Sequence, residues 1–185
     1  MSCGSPLLPR RLATLLAVLS PIRRSRRAPP AGLSNGALLD LGVYCLYPVL
    51  ELFGEPSAVT AAGILVPGGV DGAGSALLTY PEFLVTLNYS KISTGGRKCE
   101  IQGENGTMFV DAISTPSLIE IVMNSGETRA YSPYTEENDM VYECEAFADA
   151  LAEGKKTDPA PFLSAFRILD QIRSQVGIRY PADRE

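Results

Sequence analysis

Short turns between β-rich segments constrain the fold of this 185-residue chain more than any other feature. The turn Glu104–Gly106 contains Asn-Gly, a pair that tolerates the positive φ angles of a tight hairpin. Asn124–Gly126 and Pro81–Glu82 are two further turn signals between β-rich segments. Strands joined by such short connections pair antiparallel. The sequence therefore predicts a mostly antiparallel sheet.

Helices are predicted on both sides of this β-rich region. About seven strands are expected: Ala58–Val66, Ala76–Tyr80, Phe83–Ser90, Cys99–Gln102, Thr107–Asp111, Leu118–Met123 and Thr128–Tyr131. Apolar residues at helical spacing predict helices over Ala37–Phe53, from Asn138 or Asp139 to Glu153, and over Pro161–Val176. This order favours an α+β fold with an open, mostly antiparallel sheet and helices packed on one face.

Residues 1–34 differ in composition from the rest of the chain. They hold six arginines and no acidic residue, which leaves 10 basic against 21 acidic side chains in residues 35–185. The apolar run Leu12–Leu19 is too short to span a bilayer. We therefore expect a basic, disordered leader followed by one domain over residues 35–185. The leader is interpreted as a mitochondrial transit peptide, a flexible tail, or the product of a wrong start or shifted reading frame.

Charge and cysteine content exclude several classes of function. An acidic body argues against binding nucleic acid, which requires basic patches. Cys3, Cys45, Cys99 and Cys144 show no paired spacing and the chain has no histidine, so neither a zinc site nor a histidine-based triad is expected. Buried, reduced thiols are typical of a cytoplasmic protein, and no membrane association is predicted.

Asp40 and Tyr44 are the candidate catalytic residues, in the apolar stretch Ser34–Gly54. Four residues of α-helix advance about 400°, so the two side chains should lie on one face within contact distance. A carboxylate that orients a hydroxyl indicates part of an active site. The alternative is a buried acid bound to backbone amides and a tyrosine that fills the core. Pro48 cannot donate a hydrogen bond to the Tyr44 carbonyl, so irregular backbone is expected nearby.

The glycine-rich segment Gly69–Gly74 superficially resembles a phosphate-binding loop. It lies between two predicted strands, however, and not between a strand and the start of a helix. No strand–helix–strand repeat that could hold a dinucleotide is evident in the sequence. We therefore expect a hairpin loop at this segment and no cofactor-binding residues in this chain.

Several segments together carry a resemblance to a known family. Ser34–Tyr44 contains the pattern Gly-Ala-Leu-Leu-Asp-x-Gly-x-Tyr, and Leu52–Pro56 follows it. With Tyr89–Ser93, Ile101–Thr107 and Phe147–Gly154, these segments resemble the C-terminal domain of the Gfo/Idh/MocA oxidoreductases. That family includes glucose-fructose oxidoreductase, inositol dehydrogenase and dihydrodiol dehydrogenase. The resemblance covers about Leu33 to Asp183.

The resemblance implies a role for each candidate residue. Tyr44 matches the position of the proton-transferring residue and Asp40 matches the aspartate of the motif. Tyr47 and Lys91 are candidates for contacting a sugar, polyol or diol substrate, although packing and exposure to solvent are their commoner roles. Complete members pair this domain with a Rossmann domain that holds NAD or NADP, and they form homo-oligomers through the sheet.

The sequence departs from the family because the Rossmann domain is absent from it. Hydride transfer needs a bound nicotinamide next to the substrate, so we expect this chain alone to be inactive and to bind no cofactor by itself. Two alternatives stay open. The chain is a non-catalytic dimerisation or ligand-binding module, or it works with a Rossmann domain on a separate chain.

Overall fold

The computed structural model describes residues 36–93, 98–133, 140–156, 158–180 and 183, together with the backbone of residues 12–18. The strands are β1 (Leu12–Val18), β2 (Ala58–Leu65), β3 (Asp71–Thr79), β4 (Leu84–Ser90), β5 (Cys99–Gly103), β6 (Gly106–Val110), β7 (Ile119–Met123) and β8 (Thr128–Tyr131). A π-helical turn, Leu38–Gly42, leads directly into α1 (Val43–Phe53), and α2 (Met140–Ala152) and α3 (Ala160–Val176) follow the strands. The α+β prediction is confirmed.

The eight described strands form one sheet in the order β2-β3-β4-β1-β5-β6-β7-β8. Each pair is antiparallel except β1 and β4, which run parallel. The three hairpins expected at the short turns are present as β3/β4, β5/β6 and β7/β8. At the Asn-Gly turn, Gly103 pairs with Gly106, so the strands meet directly across the two turn residues.

Strand β1 lies inside the segment that was expected to be a disordered leader. Its backbone pairs with β4 on one side and with β5 on the other, in the middle of the sheet. The prediction of disorder is therefore wrong for these seven residues. The reason is that an apolar run too short for a membrane is long enough for a strand, and β4 and β5 leave a gap that only a non-local strand fills. The other residues of 1–34 lie outside the described part of the chain.

The glycine-rich segment is also part of the sheet. Strand β3 begins at Asp71, not at Ala76 as predicted, so only the start of the segment belongs to the β2/β3 hairpin connection. Gly74 pairs with Tyr89 on β4, and a Cβ at Gly74 would overlap the Tyr89 phenol. The glycine is needed because the Tyr89 ring crosses β3 at this point. Low side-chain bulk in this strand, which we had interpreted as loop composition, makes room for the ring.

The core lies between one face of the sheet and the helices α1 and α3, with the π-helical turn beside them. Its members are apolar side chains that alternate along the strands and recur at helical spacing on α1 and α3. They include Leu38, Leu41, Leu46, Val49, Ala76, Leu78, Val85, Leu87, Tyr89, Ile101, Ile168, Leu169 and Ile172. The end of α3 is marked by Gly177 in the left-handed conformation, as expected for a helix stop.

Helix α2 does not contribute to this core. It forms at the predicted place, but none of its side chains is buried. Phe147 and Leu151, on its predicted apolar face, are each 67% exposed. Within the described residues, no helix is long and apolar enough to cross a bilayer.

Candidate functional site

The candidate catalytic residues lie where the π-helical turn meets α1. Asp40 belongs to the turn and Tyr44 to the first turn of α1. Both are exposed: Tyr44 is 57% accessible and the Asp40 side chain 58%. The helix buries its opposite face, including Cys45 and Leu46, against the sheet. This amphipathic arrangement leaves the acid and the phenol available to a ligand and excludes the alternative in which both fill the core.

The Asp40 carboxylate pairs with Lys91, not with the Tyr44 hydroxyl. Lys91 Nζ lies 2.7 Å from Asp40 Oδ2, and the lysine follows directly after β4. The backbone of the turn explains the difference from the sequence expectation. The Val43 amide bonds to the Leu38 carbonyl five residues back, so four residues do not complete a turn here. Asp40 is thereby offset from the α-helical position above Tyr44.

Tyr47 lies one turn further along α1 and is partly buried. Its ring stacks on Phe162 of α3, with 5.8 Å between the ring centroids. Burial raises the pKa of the Tyr47 phenol, and the neighbouring Glu51 carboxylate adds to this effect. Tyr47 thus has a packing contact and an oriented hydroxyl on the same helix as the two candidate catalytic residues.

Asp71 is a residue that the sequence analysis missed. It is 1% exposed, and its Oδ2 accepts a hydrogen bond of 2.6 Å from the Leu38 amide at the start of the π-helical turn. Burial raises its pKa, while the bonds from backbone amides and the nearby Lys91 act in the opposite direction. The only sequence signal for it is an acid within a glycine-rich segment, which we had assigned to a loop.

Two buried tyrosines lie within electrostatic reach of Asp71. The hydroxyls of Tyr89 and Tyr180 are buried without a hydrogen-bond partner among the described residues, as is Asp71 Oδ1. Burial raises the pKa of both phenols, and the Asp71 charge raises it further. These phenols therefore stay protonated and are poor candidates for a base, in contrast to the exposed Tyr44.

The thiols offer no nucleophile near the candidate site. Cys45 and Cys99 are buried, and burial raises the pKa of Cys99 to about 11. Cys144 on α2 is also free but exposed, so only two of the three described cysteines match the expected burial. No group of acidic, cysteine or histidine side chains in the described ranges could hold a metal ion.

A dinucleotide cofactor does not fit these residues. A pyrophosphate is usually held by free amides at the start of a helix. Here the Leu38 amide is already bound to the Asp71 carboxylate, whose charge would repel a phosphate. The described strands also include a single parallel pair and no repeated strand–helix–strand unit. The phosphate portion of NAD or NADP therefore has no matching site among them, and we assign no step to the cofactor.

Comparison with known proteins identifies the class. Residues 14–109 match the sequence model of the GFO/IDH/MocA C-terminal domain. The match begins within β1, which supports the assignment of that strand to the domain. The chain therefore belongs to the Gfo/Idh/MocA oxidoreductase family.

Curated relatives agree with this assignment. The chain is 41% identical over 156 residues to scyllo-inositol 2-dehydrogenase (NADP(+)) IolU of Bacillus subtilis (strain 168), covering 82% of this chain and 48% of the relative. It is 31% identical over 176 residues to trans-1,2-dihydrobenzene-1,2-diol dehydrogenase of Xenopus laevis, covering 88% and 53%. The chain thus spans about half the length of the curated relatives it matches.

Solved structures share the fold. A point mutant of the 3-ketoreductase KijD10 from Actinomadura kijaniata, in complex with TDP-benzene and NADP, superposes with a TM-score of 0.75 at 19% identity. The match covers 90% of this chain and 52% of that chain. UDP-N-acetylglucosamine 3-dehydrogenase GnnA from Acidithiobacillus ferrooxidans has a TM-score of 0.73 at 20% identity, covering 90% and 54%.

Proposed function

We propose that this chain is the substrate-binding and oligomerisation part of an NAD(P)-dependent oxidoreductase that acts on a sugar, polyol or diol. The ion pair of Asp40 and Lys91 at the start of the helix that exposes Tyr44 carries the proposal. It combines a phenol, a carboxylate and an ammonium group on one accessible edge. The names of the relatives, which include an inositol and a dihydrodiol dehydrogenase, support the substrate class.

Each residue has a defined role in this proposal. Tyr44 exchanges a proton with a substrate hydroxyl, since its phenol is exposed on the helix surface. A free phenol ionises only near pH 10, so proton transfer near neutrality depends on neighbouring positive charge. Lys91 supplies that charge, and Asp40 holds the ammonium group in place. Tyr47 borders the substrate through its hydroxyl while its ring rests on Phe162.

The nicotinamide cofactor, when bound, supplies hydride transfer, and the site for it lies outside the described residues. The chain alone is therefore inactive in this proposal. Turnover requires a Rossmann domain from a partner chain, and NADP is the cofactor that the names of IolU and the KijD10 complex suggest. We place the protein in the cytoplasm, because its described thiols are free.

A homo-oligomer is proposed to form through the sheet face opposite the helices. Leu77, Leu84 and Val122 are exposed large apolar side chains on the strands, and such residues favour burial against a second copy. The same observation favours the rival function, a dimerisation or ligand-binding module without catalysis.

Mixing experiments distinguish the two. The probe reaction is oxidation of scyllo-inositol with NADP⁺, and the partner is the part of IolU that lies outside the region matched by this chain. We expect activity only when both are present, and loss of at least about 100-fold in Tyr44→Phe, the scale of general acid–base catalysis. Tyr131→Phe, at another exposed tyrosine, is the control.

The outcomes separate cleanly. Turnover by the chain alone would overturn the proposed dependence on a partner. A stable dimer that binds scyllo-inositol but never gains activity supports the module. Full reconstituted activity in Tyr44→Phe would remove Tyr44 from its catalytic role.

A further inference from the structure

The buried carboxylate of Asp71 joins two parts of the molecule that are far apart in sequence. Its Oδ2 binds the Leu38 amide at 2.6 Å, which anchors the first residue of the π-helical turn to strand β3. The fit is close, because a Cβ at Gly36 would overlap Asp71 Oδ1. The start of the helix that bears Asp40 is therefore tied to one acid.

The same carboxylate lies beside Lys91. The Lys91 amide donates a hydrogen bond of 2.8 Å to the carbonyl of Gly72, the residue next to Asp71. This bond holds the lysine backbone close to Asp71, and the charges of the two side chains interact. The Lys91 ammonium reaches on to Asp40, 2.7 Å away. One lysine thus lies within the field of two acids, one buried and one exposed.

We infer that Asp71 is a positioning residue: it holds the π-helical turn through the Leu38 amide and, through its charge, orients Lys91 toward Asp40. This inference rests on the proposed function, because Lys91 and Asp40 matter for a substrate only if the edge at Tyr44 is the site. It adds a residue that lies out of reach of any ligand, since Asp71 is 1% exposed.

The choice of an acid at this position supports the inference. Anchoring one amide needs only a hydrogen-bond acceptor, and Ser, Thr or Asn supplies that without a buried charge. A buried carboxylate carries a desolvation cost that a neutral acceptor avoids. Its Oδ1 also has no hydrogen-bond partner in the described part of the chain. A charged residue is retained here because the charge acts on Lys91.

Asp71→Asn separates the two contributions, because its amide oxygen can still accept from Leu38 while the negative charge is gone. Asp111→Asn is the matched control. Asp111 also accepts bonds from backbone amides, of Ala112 and Ser117, but pairs with none of the proposed site residues. Three quantities are measured in each variant: hydrogen exchange of the Leu38 amide, the ¹⁵N signal of the Lys91 ammonium group, and affinity for scyllo-inositol by NMR titration.

We expect Asp71→Asn to keep the Leu38 amide protected, to shift the Lys91 ammonium signal and to weaken scyllo-inositol binding by about fivefold or more. When Asp71→Asn is combined with Asp40→Asn, the loss of affinity should be smaller than the product of the two single losses, because both act through one lysine. Asp111→Asn should change neither the Lys91 signal nor the affinity. An unchanged Lys91 signal and affinity in Asp71→Asn would overturn the inference.

The experiment keeps the two proposals apart. If the wild-type chain does not bind scyllo-inositol, the substrate class fails, and the Lys91 signal still decides the role of Asp71. Should Asp71→Asn not fold, Lys91→Gln provides the reciprocal test through the ¹³C signals of the two carboxyl groups. Both Asp71 and Asp40 signals must then move, and a stationary Asp71 signal would reject the inference.

Discussion

The ammonium group of Lys91 lies 2.7 Å from the Asp40 carboxylate and so connects the end of β4 to the π-helical turn. The two residues are 51 positions apart, and each was a separate candidate in the sequence. Their contact places a positive charge at the base of the helix that exposes Tyr44. The chemistry proposed for the phenol depends on this contact.

Replacing Asp40 should affect function much more than stability. The Asp40 side chain is 58% exposed, and exposed ion pairs contribute about 0–1 kcal/mol, so Asp40→Asn should change the free energy of unfolding by less than that. Activity of the reconstituted enzyme should fall about tenfold or more, because Lys91 loses its orientation. Urea denaturation and initial rates measure the two effects.

The Glu127–Arg129 pair offers a matched control, since its atoms are also 2.7 Å apart and its side chains are half exposed. Glu127→Gln should leave both stability and activity nearly unchanged. Equal loss of activity in the two variants would contradict a specific role for Asp40.

The close packing of Gly74 against Tyr89 should make Gly74→Ala destabilising. A methyl group would overlap the Tyr89 phenol, which is buried and cannot move aside freely. Overpacking of this kind costs about 1–3 kcal/mol in the free energy of unfolding. Ala62→Ser, at an exposed position of β2, should change it by less than about 0.5 kcal/mol. Equal midpoints in urea for both variants would show that the ring has room.

The uncovered face of α2 should drive self-association of this chain. Phe147 and Leu151 are each 67% exposed on adjacent turns, and large apolar patches associate in water. Sedimentation velocity should show oligomers for the wild type and a lower average mass for Phe147→Glu. Gln171→Glu adds the same charge at an exposed polar position of α3 and should leave the mass unchanged. A monomeric wild type at high concentration would disprove this expectation.

Acid should destabilise the loop that follows β6. The Ser117 hydroxyl, together with the amides of Leu118, Ser117 and Ala112, lowers the pKa of Asp111 from 3.8 to about 2. Because the folded-state pKa lies below the unfolded value, the stabilisation is present above pH 3.8 and is lost as pH falls toward about 2.

Urea denaturation across this pH window should therefore show a shallower loss of stability for Asp111→Asn than for the wild type. Asp158→Asn, at an exposed acid before α3, should follow the wild-type curve. Parallel curves for the wild type and Asp111→Asn would mean that the Ser117 contacts do not favour the ionised carboxylate.

Local features of the sequence were sufficient for most of the architecture. Turn residues such as those of Asn105–Gly106 specify hairpins because a tight turn brings its own flanking strands together. Helical spacing specified α1 and α3 because one face of each must be buried, and the motif around Asp40 and Tyr44 indicated the family. Each of these signals lies within a short stretch of chain.

Only the tertiary structure decided the rest, because the partners are remote in sequence. The strand Leu12–Val18 has meaning only between β4 and β5, and Gly74 only beneath Tyr89. Asp71 became visible as a functional candidate through an amide 33 residues away. An exposed acid and a lysine become a site when folding brings the end of β4 and the π-helical turn together, and no local pattern encodes that contact.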